Sequence, residues 1–181
     1  MFDELLARIA GALDAHALPY MVIGGQAVLL YGEPRLTRDI DITLGVDVDA
    51  LPGVLQAVRS AGLESLVDPD EFVSRTMVLP CVDPASGVRV DLVFSFTPYE
   101  SAAIGRSRAI EIGGRPVRYA GPEDLVVHKM LAGRPRDLED VRSIVVRQPA
   151  LDRPFIRTVL ADFDSALGRE LVAQFDAVLA S

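Results

Sequence analysis

A chain of 181 residues, half of them hydrophobic, suits one domain, or a core with a small appendage, and can bury a sizeable interior. Its 26 acids against 18 bases give a net charge of −8, which argues against a general nucleic-acid coat, whose footprint is basic. The single cysteine, Cys81, excludes an internal disulfide framework. No run approaches the roughly 18 apolar residues of a membrane span, and Met-Phe-Asp-Glu is acidic where a secretory leader is basic, so a cytoplasmic chain with no membrane partner is expected.

Residues 2–16 carry Leu5, Leu6, Ile9 and Leu13 at helical spacing, and Pro19 ends that region. Tyr20 to Ile23 is short and apolar and runs into Gly24-Gly25, which predicts a buried strand entering a tight turn. A short helix is expected from Gln26 to Tyr31, stopped by Gly32 and Pro34. Asp39 to Leu44 alternates polar and apolar residues with the period of a strand. Residues 49–61 form an amphipathic helix closed by Gly62. Thr76–Val82 and Val88–Phe96 read as a hairpin around Asp83-Pro-Ala-Ser-Gly87, and Ser107–Ile112 and Val117–Tyr119 as another around Gly113-Gly114. After Gly121 the pattern turns helical: one helix opens at Pro122, a second carries Leu138, Val141 and Val145, and a third opens at Asp152 and Pro154. A fourth carries Leu167, Leu171, Phe175 and Val178. The expected organisation is an α/β core over residues 1–119 and a helical C-terminal part over 120–181, with no internal repeat.

The chemistry concentrates in three aspartates. Asp39 and Asp41 lie two apart on a strand, so both side chains leave one face while Ile40 and Ile42 enter the core. Two adjacent carboxylates repel unless a cation stands between them, and hard oxygen donors suit Mg²⁺. Asp91 interrupts an otherwise apolar strand, where an unpaired carboxylate is very unfavourable. If the three acids converge, two ions bridging a nucleoside triphosphate and an attacking oxygen are the expected use; the plain alternative for Asp91 is an ion pair with Arg38 or Arg89. Gly24-Gly25, between a strand and a helix, permits close approach of an anion. Arg35 and Arg38 could meet phosphate, and Thr37 lies in the same connection.

Seventeen of the 18 bases are arginine, leaving Lys129 as the only lysine and a candidate point-charge contact for phosphate. It lies in the one clearly basic stretch, Ser101 to Arg136, which holds seven bases and three acids. Asp137 and Asp140, three apart, share a helix face; charge complementarity at a helix N-terminus would account for both. His16 and His128 have no ligand spacing around them, and the glycine pattern is neither a P-loop nor a dinucleotide fingerprint.

Gly24-Gly25-x-Ala27, Arg35-x-Thr37-x-Asp39-Ile-Asp41 and Val90-Asp91-Leu92 together resemble the nucleotidyltransferase superfamily typified by DNA polymerase β. The short length and Lys129-x₅-Pro135-Arg136-Asp137-Leu-x-Asp140 are similar to the small AbiEii-type nucleotidyltransferases, the toxins of type IV toxin–antitoxin systems. The resemblance spans residues 20–145. It implies an α+β nucleotidyltransferase fold, a mixed twisted sheet flanked by helices. It implies Mg²⁺ (two ions, with Mn²⁺ as a substitute) on Asp39, Asp41 and Asp91, and a nucleoside triphosphate cradled by Gly24 and Gly25. It places Arg35, Thr37, Lys129 and Asp137 on the nucleotide side. The nucleoside monophosphate would pass to a hydroxyl on a tRNA 3′ end, a protein or a small molecule, and a cognate antitoxin would be a partner. Many superfamily members have Gly-Ser where this chain has Gly24-Gly25. Two other readings stand beside this one: an antibiotic-modifying transferase of similar fold and a catalytically idle nucleotide-binding module.

Overall fold

The computed structural model describes residues 2–95 and 97–180. The chain forms two compact units, Met1–Gln26 with Thr37–Ala120, and Ala27–Leu36 with Gly121–Ser181. The segment Ala27–Leu36, which the sequence reading keeps with the N-terminal core, thus belongs to the second unit.

The first unit is built on one mixed sheet. Its strands are β1 (Tyr20–Ile23), β2 (Asp39–Leu44), β3 (Glu64–Ser65), β4 (Val78–Val82), β5 (Arg89–Phe94), β6 (Arg108–Ile112) and β7 (Arg115–Tyr119), in the order β3-β4-β5-β2-β1-β7-β6. β2 runs parallel to β5 and β1 parallel to β7; the other neighbours are antiparallel. Both expected hairpins form, β4–β5 and β6–β7. Phe96, the last residue expected in the strand after Gly87, lies outside the described residues.

Alternation along the strands gives the sheet two unlike faces. Val22, Ile40, Ile42, Val90 and Leu92 are fully buried on one of them. The opposite face carries Asp39, Asp41 and Asp91 toward one end. Toward the other lie Met21 and Thr43, both buried.

Helix α1 (Phe2–Ala15) buries the predicted stripe Leu5, Leu6, Ile9 and Leu13. Helix α2 (Gly24–Tyr31) begins at the glycine pair itself, two residues earlier than expected. A short 3-10 turn, Val48–Ala50, leads into α3 (Leu51–Ser60). Two helices add to the sequence reading. α4 (Pro69–Thr76) starts on Asp68, whose side chain accepts from Glu71 N, and occupies Thr76, which was expected to open a strand. α5 (Pro98–Gly105) starts on a capping box between Thr97 and Glu100. Its Ala103 and Ile104 pack with Met21 and Ala120, covering the lower part of the acid-bearing face.

The second unit contains α6 (Pro122–Ala132), α7 (Pro135–Arg147), α8 (Arg153–Leu167) and α9 (Leu171–Ala180). Leu167, expected in the last helix, closes α8 instead, because Gly168 caps that helix and breaks the stripe. Among the described residues no helix is long and apolar enough to cross a membrane.

Candidate active site

The parallel pairing of β2 with β5 does what the sequence alone could not: it sets Asp41 directly beside Asp91, and Asp39 beside Arg89. Side chains at one register level of a sheet leave the same face, with strands about 4.8 Å apart. Asp41 and Asp91 are therefore neighbours by construction. Asp39 stands one pleat repeat away, exposed at the strand's first position.

On one side in the sheet Asp91 has Asp41. Its other neighbour across the sheet is Pro80, which has no N–H. Oδ1 of Asp91 is buried and has no hydrogen-bond partner among the described residues. Burial pushes the Asp91 carboxyl above its ordinary value; Arg89 pulls it back and the charge of Asp39 raises it further. Nearby, burial drives the Cys81 thiol up to about 12, with Asp91 adding to the rise.

Ile23 is the register partner of Asp41, so Gly24 follows immediately at the edge of the acid pair. Gly24 has φ +61°, and a β-carbon there would stand 2.7 Å from Asp41 Cγ and nearer still to Oδ2. Only glycine lets the Asp41 carboxylate lie against the main chain at this turn. Thr37, on the way into β2, donates from Oγ1 to the Asp39 carbonyl at 3.4 Å.

In the second unit Lys129, Asp137 and Arg35 form one ion cluster centred on Asp140. Lys129 Nζ lies 2.8 Å from a carboxylate oxygen of each of Asp137 and Asp140. Arg35 grips Asp140 with two parallel bonds, Nε to Oδ1 at 2.7 Å and Nη2 to Oδ2 at 2.9 Å. Arg134 adds Nε to Asp137 Oδ2 at 2.6 Å. Lys129, Asp137 and Asp140 are all buried. Burial raises each carboxyl, but the hydrogen bonds and charges outweigh it and hold both below the ordinary aspartate value: Arg134 and Lys129 act on Asp137, Arg35 and Lys129 on Asp140. The Asp137–Asp140 spacing was legible in the sequence as a shared helix face; the bidentate partner 105 residues away was not.

The donor set in the first unit suits a hard divalent cation: three carboxylates on one face, two of them side by side, one with a buried oxygen that nothing in the described protein satisfies. The three are not drawn to chelating distance, and among the described residues no group of three or more His, Cys, Asp or Glu side chains is placed to hold a metal ion.

The chain is similar to the solution structure of the antibiotic-resistance factor ANT(2″)-Ia, with 20% identity and a TM-score of 0.64 over 92% of each chain. It is also similar to an antigenic nucleotidyltransferase-like protein from Paracoccidioides brasiliensis, with 20% identity and a TM-score of 0.57 over 98% of this chain and 91% of that one. A third similar structure is the lincomycin-bound lincosamide antibiotic adenylyltransferase LnuA, with 16% identity and a TM-score of 0.52 over 78% of this chain and 96% of the other. At such identities the likeness is one of fold. No match was found among curated proteins. The family model described as a nucleotidyltransferase of unknown function (DUF6036) matches residues 1–171, and the chain belongs to that family. The protein is accordingly a nucleotidyltransferase.

Proposed function

We propose that the protein transfers a nucleoside monophosphate from a nucleoside triphosphate to a hydroxyl acceptor, with Asp39, Asp41 and Asp91 as ligands for two Mg²⁺ ions, which Mn²⁺ could replace. The observation that carries this reading is the Asp41–Asp91 pair, in register on adjacent parallel strands and on the same face as Asp39. When bound, the ions would neutralise the triphosphate and lower the pKa of the attacking hydroxyl. Every other part belongs to the chain. Gly24 and Gly25 would admit the triphosphate to the main chain at the start of α2, where helix N–H groups are free for an anion. Thr37 would hold the entry to β2. Asp91, in its desolvated setting, would accept the proton of the acceptor hydroxyl.

Arg35, Lys129 and Asp137 are assigned to the phosphate side on the same reading. Their cluster has three cations (Arg35, Lys129, Arg134) against two carboxylates (Asp137, Asp140), a net charge of +1. Among the described residues, two of the three ammonium donors of Lys129 are taken, by Asp137 and Asp140. From the motif resemblance we further place the protein as the toxin of a toxin–antitoxin pair, with a tRNA 3′ end, a protein or a small molecule as its acceptor.

Incubation with labelled nucleoside triphosphates and Mg²⁺ tests both levels. Total tRNA, cell protein, an aminoglycoside and a lincosamide are offered separately, with Asp41→Ala as control. Label in tRNA or protein that disappears with a chelator and in Asp41→Ala is expected. Label on an antibiotic alone overturns the toxin assignment and leaves the transferase standing. No label on any acceptor overturns the proposed reaction.

A further inference from the structure

The acid-bearing face holds a second buried oxygen without a partner among the described residues. Thr43 is 2% exposed, and its Oγ1 makes no hydrogen bond to any described residue. A buried hydroxyl left in that condition is costly, and native proteins seldom leave one unexplained. Thr43 follows Asp41 by two residues on β2, so its side chain leaves the same face as the acids. Its register partners are Met21 on β1 and Val93 on β5, neither of which offers a side-chain donor or an oxygen. Asp91 lies one strand over and two residues back. The other orphaned oxygen of this face, Asp91 Oδ1, is thus the diagonal neighbour of Thr43.

The geometry of a sheet puts such diagonal Cα atoms about 8 Å apart, from a lateral step of about 4.8 Å and a rise of about 6.6 Å. The two oxygens make no direct bond, and side chains turned partly toward each other across that gap leave a separation that one bridging water can span. A buried water needs two or more polar partners, and this face supplies two that have none of their own.

We propose that Thr43 is a positioning residue for Asp91: its hydroxyl, through one buried water, fixes Asp91 Oδ1 and so aims the other carboxylate oxygen at the ion. The inference rests on the reading of Asp91 as a metal ligand. It assigns to Thr43 the outer-shell role that a conserved hydrogen-bond partner plays for a ligating carboxylate.

The test compares Thr43→Val, which keeps the shape and removes the hydroxyl, with Thr43→Ser, which keeps the hydroxyl. Mn²⁺ affinity of the full chain is read by electron paramagnetic resonance of the free ion, beside thermal melting. The valine variant keeps the side-chain shape and should still fold, with a single cooperative melt, yet bind Mn²⁺ about tenfold more weakly. The serine variant should restore the affinity. Valine binding Mn²⁺ as tightly as the parent overturns the role of Thr43. A parent that binds no Mn²⁺, or binds it equally well as Asp91→Asn, overturns the metal reading beneath it. A high-resolution crystal structure of the parent decides independently of how the valine variant folds. A water within hydrogen-bond reach of both oxygens is expected, and its absence from a well-defined cavity overturns the bridge.

Discussion

The two units each withdraw aspartates from water, and they treat them in opposite ways. Around Asp140 every charge has an answer: Arg35 grips both carboxylate oxygens, and Lys129 closes on one of them and on Asp137. Around Asp91 the neighbours are a proline, a second aspartate and an arginine at the rim. The carboxyl pKa values record the contrast, lowered for Asp137 and Asp140 and raised for Asp91. A buried acid that the protein itself has satisfied holds the fold together. One that it has left unsatisfied costs stability, and proteins retain that cost where a ligand or a reaction uses it.

The comparison can be broken most severely at the acid pair. Asp41→Ala should cut nucleotidyl transfer at least about a thousandfold, the scale of losing a main electrostatic contact to the reacting charge, with little change in melting temperature. Gly24→Ala should come close to that loss by pushing the Asp41 carboxylate aside. Steady-state kinetics beside calorimetry separates the two effects. Next comes the satisfied cluster. Asp140→Ala strands Arg35 and buried Lys129 and should destabilise the protein by about 3–5 kcal/mol, read by denaturant unfolding. Removing the charge from the unsatisfied set should have the opposite sign: Asp91→Asn, nearly isosteric, should gain about 1 kcal/mol of stability while transfer collapses. If Asp91→Asn destabilises as Asp140→Ala does, the two sets are alike and the contrast fails.

Acid should draw out the same difference. Asp137 and Asp140 have folded pKa values below the ordinary 3.8, so their stabilisation is complete above that value and drains away as pH falls through the lower folded values. Asp91 has a raised folded pKa, so its charge costs stability above the ordinary value and the cost is relieved as pH falls through the raised one. Melting followed between pH 7 and pH 2 (conditions of about that span) should show protonation of Asp91 before any loss tied to α7. The smallest effect is a control that belongs to neither set of charges. Ala17, in the turn after α1, has φ 53°, a left-handed conformation that favours glycine. Ala17→Gly should raise stability by about 0.5–1 kcal/mol without altering transfer.

Much of this arrangement was written in the chain at the level of periodicity. The strand alternation of Asp39–Leu44 and the apolar frame of Asp91 located the acids before any coordinates. Which strands are neighbours is a long-range fact, decided by packing, and it alone puts Asp41 beside Asp91. The helices α4 and α5 escaped because an eight-residue helix has little room for a periodic stripe. Their N-terminal signals were nonetheless present, Asp68-Pro69 in one case and Thr97-Pro98 with Glu100 in the other. Lys129 stood out by composition, but its two carboxylate partners and its burial come from the packing of α6 against α7.

The unequal standing of the two turn glycines has a consequence for how the sequence can drift. Residue 24 is held by both its backbone and the carboxylate pressed upon it, whereas Gly25 has no left-handed backbone to preserve. A library randomised at both codons and selected for a folded, active chain should return glycine alone at the first. At the second it should admit serine, the residue that many superfamily members carry there. The turn would then have one locked position and one open to adjustment.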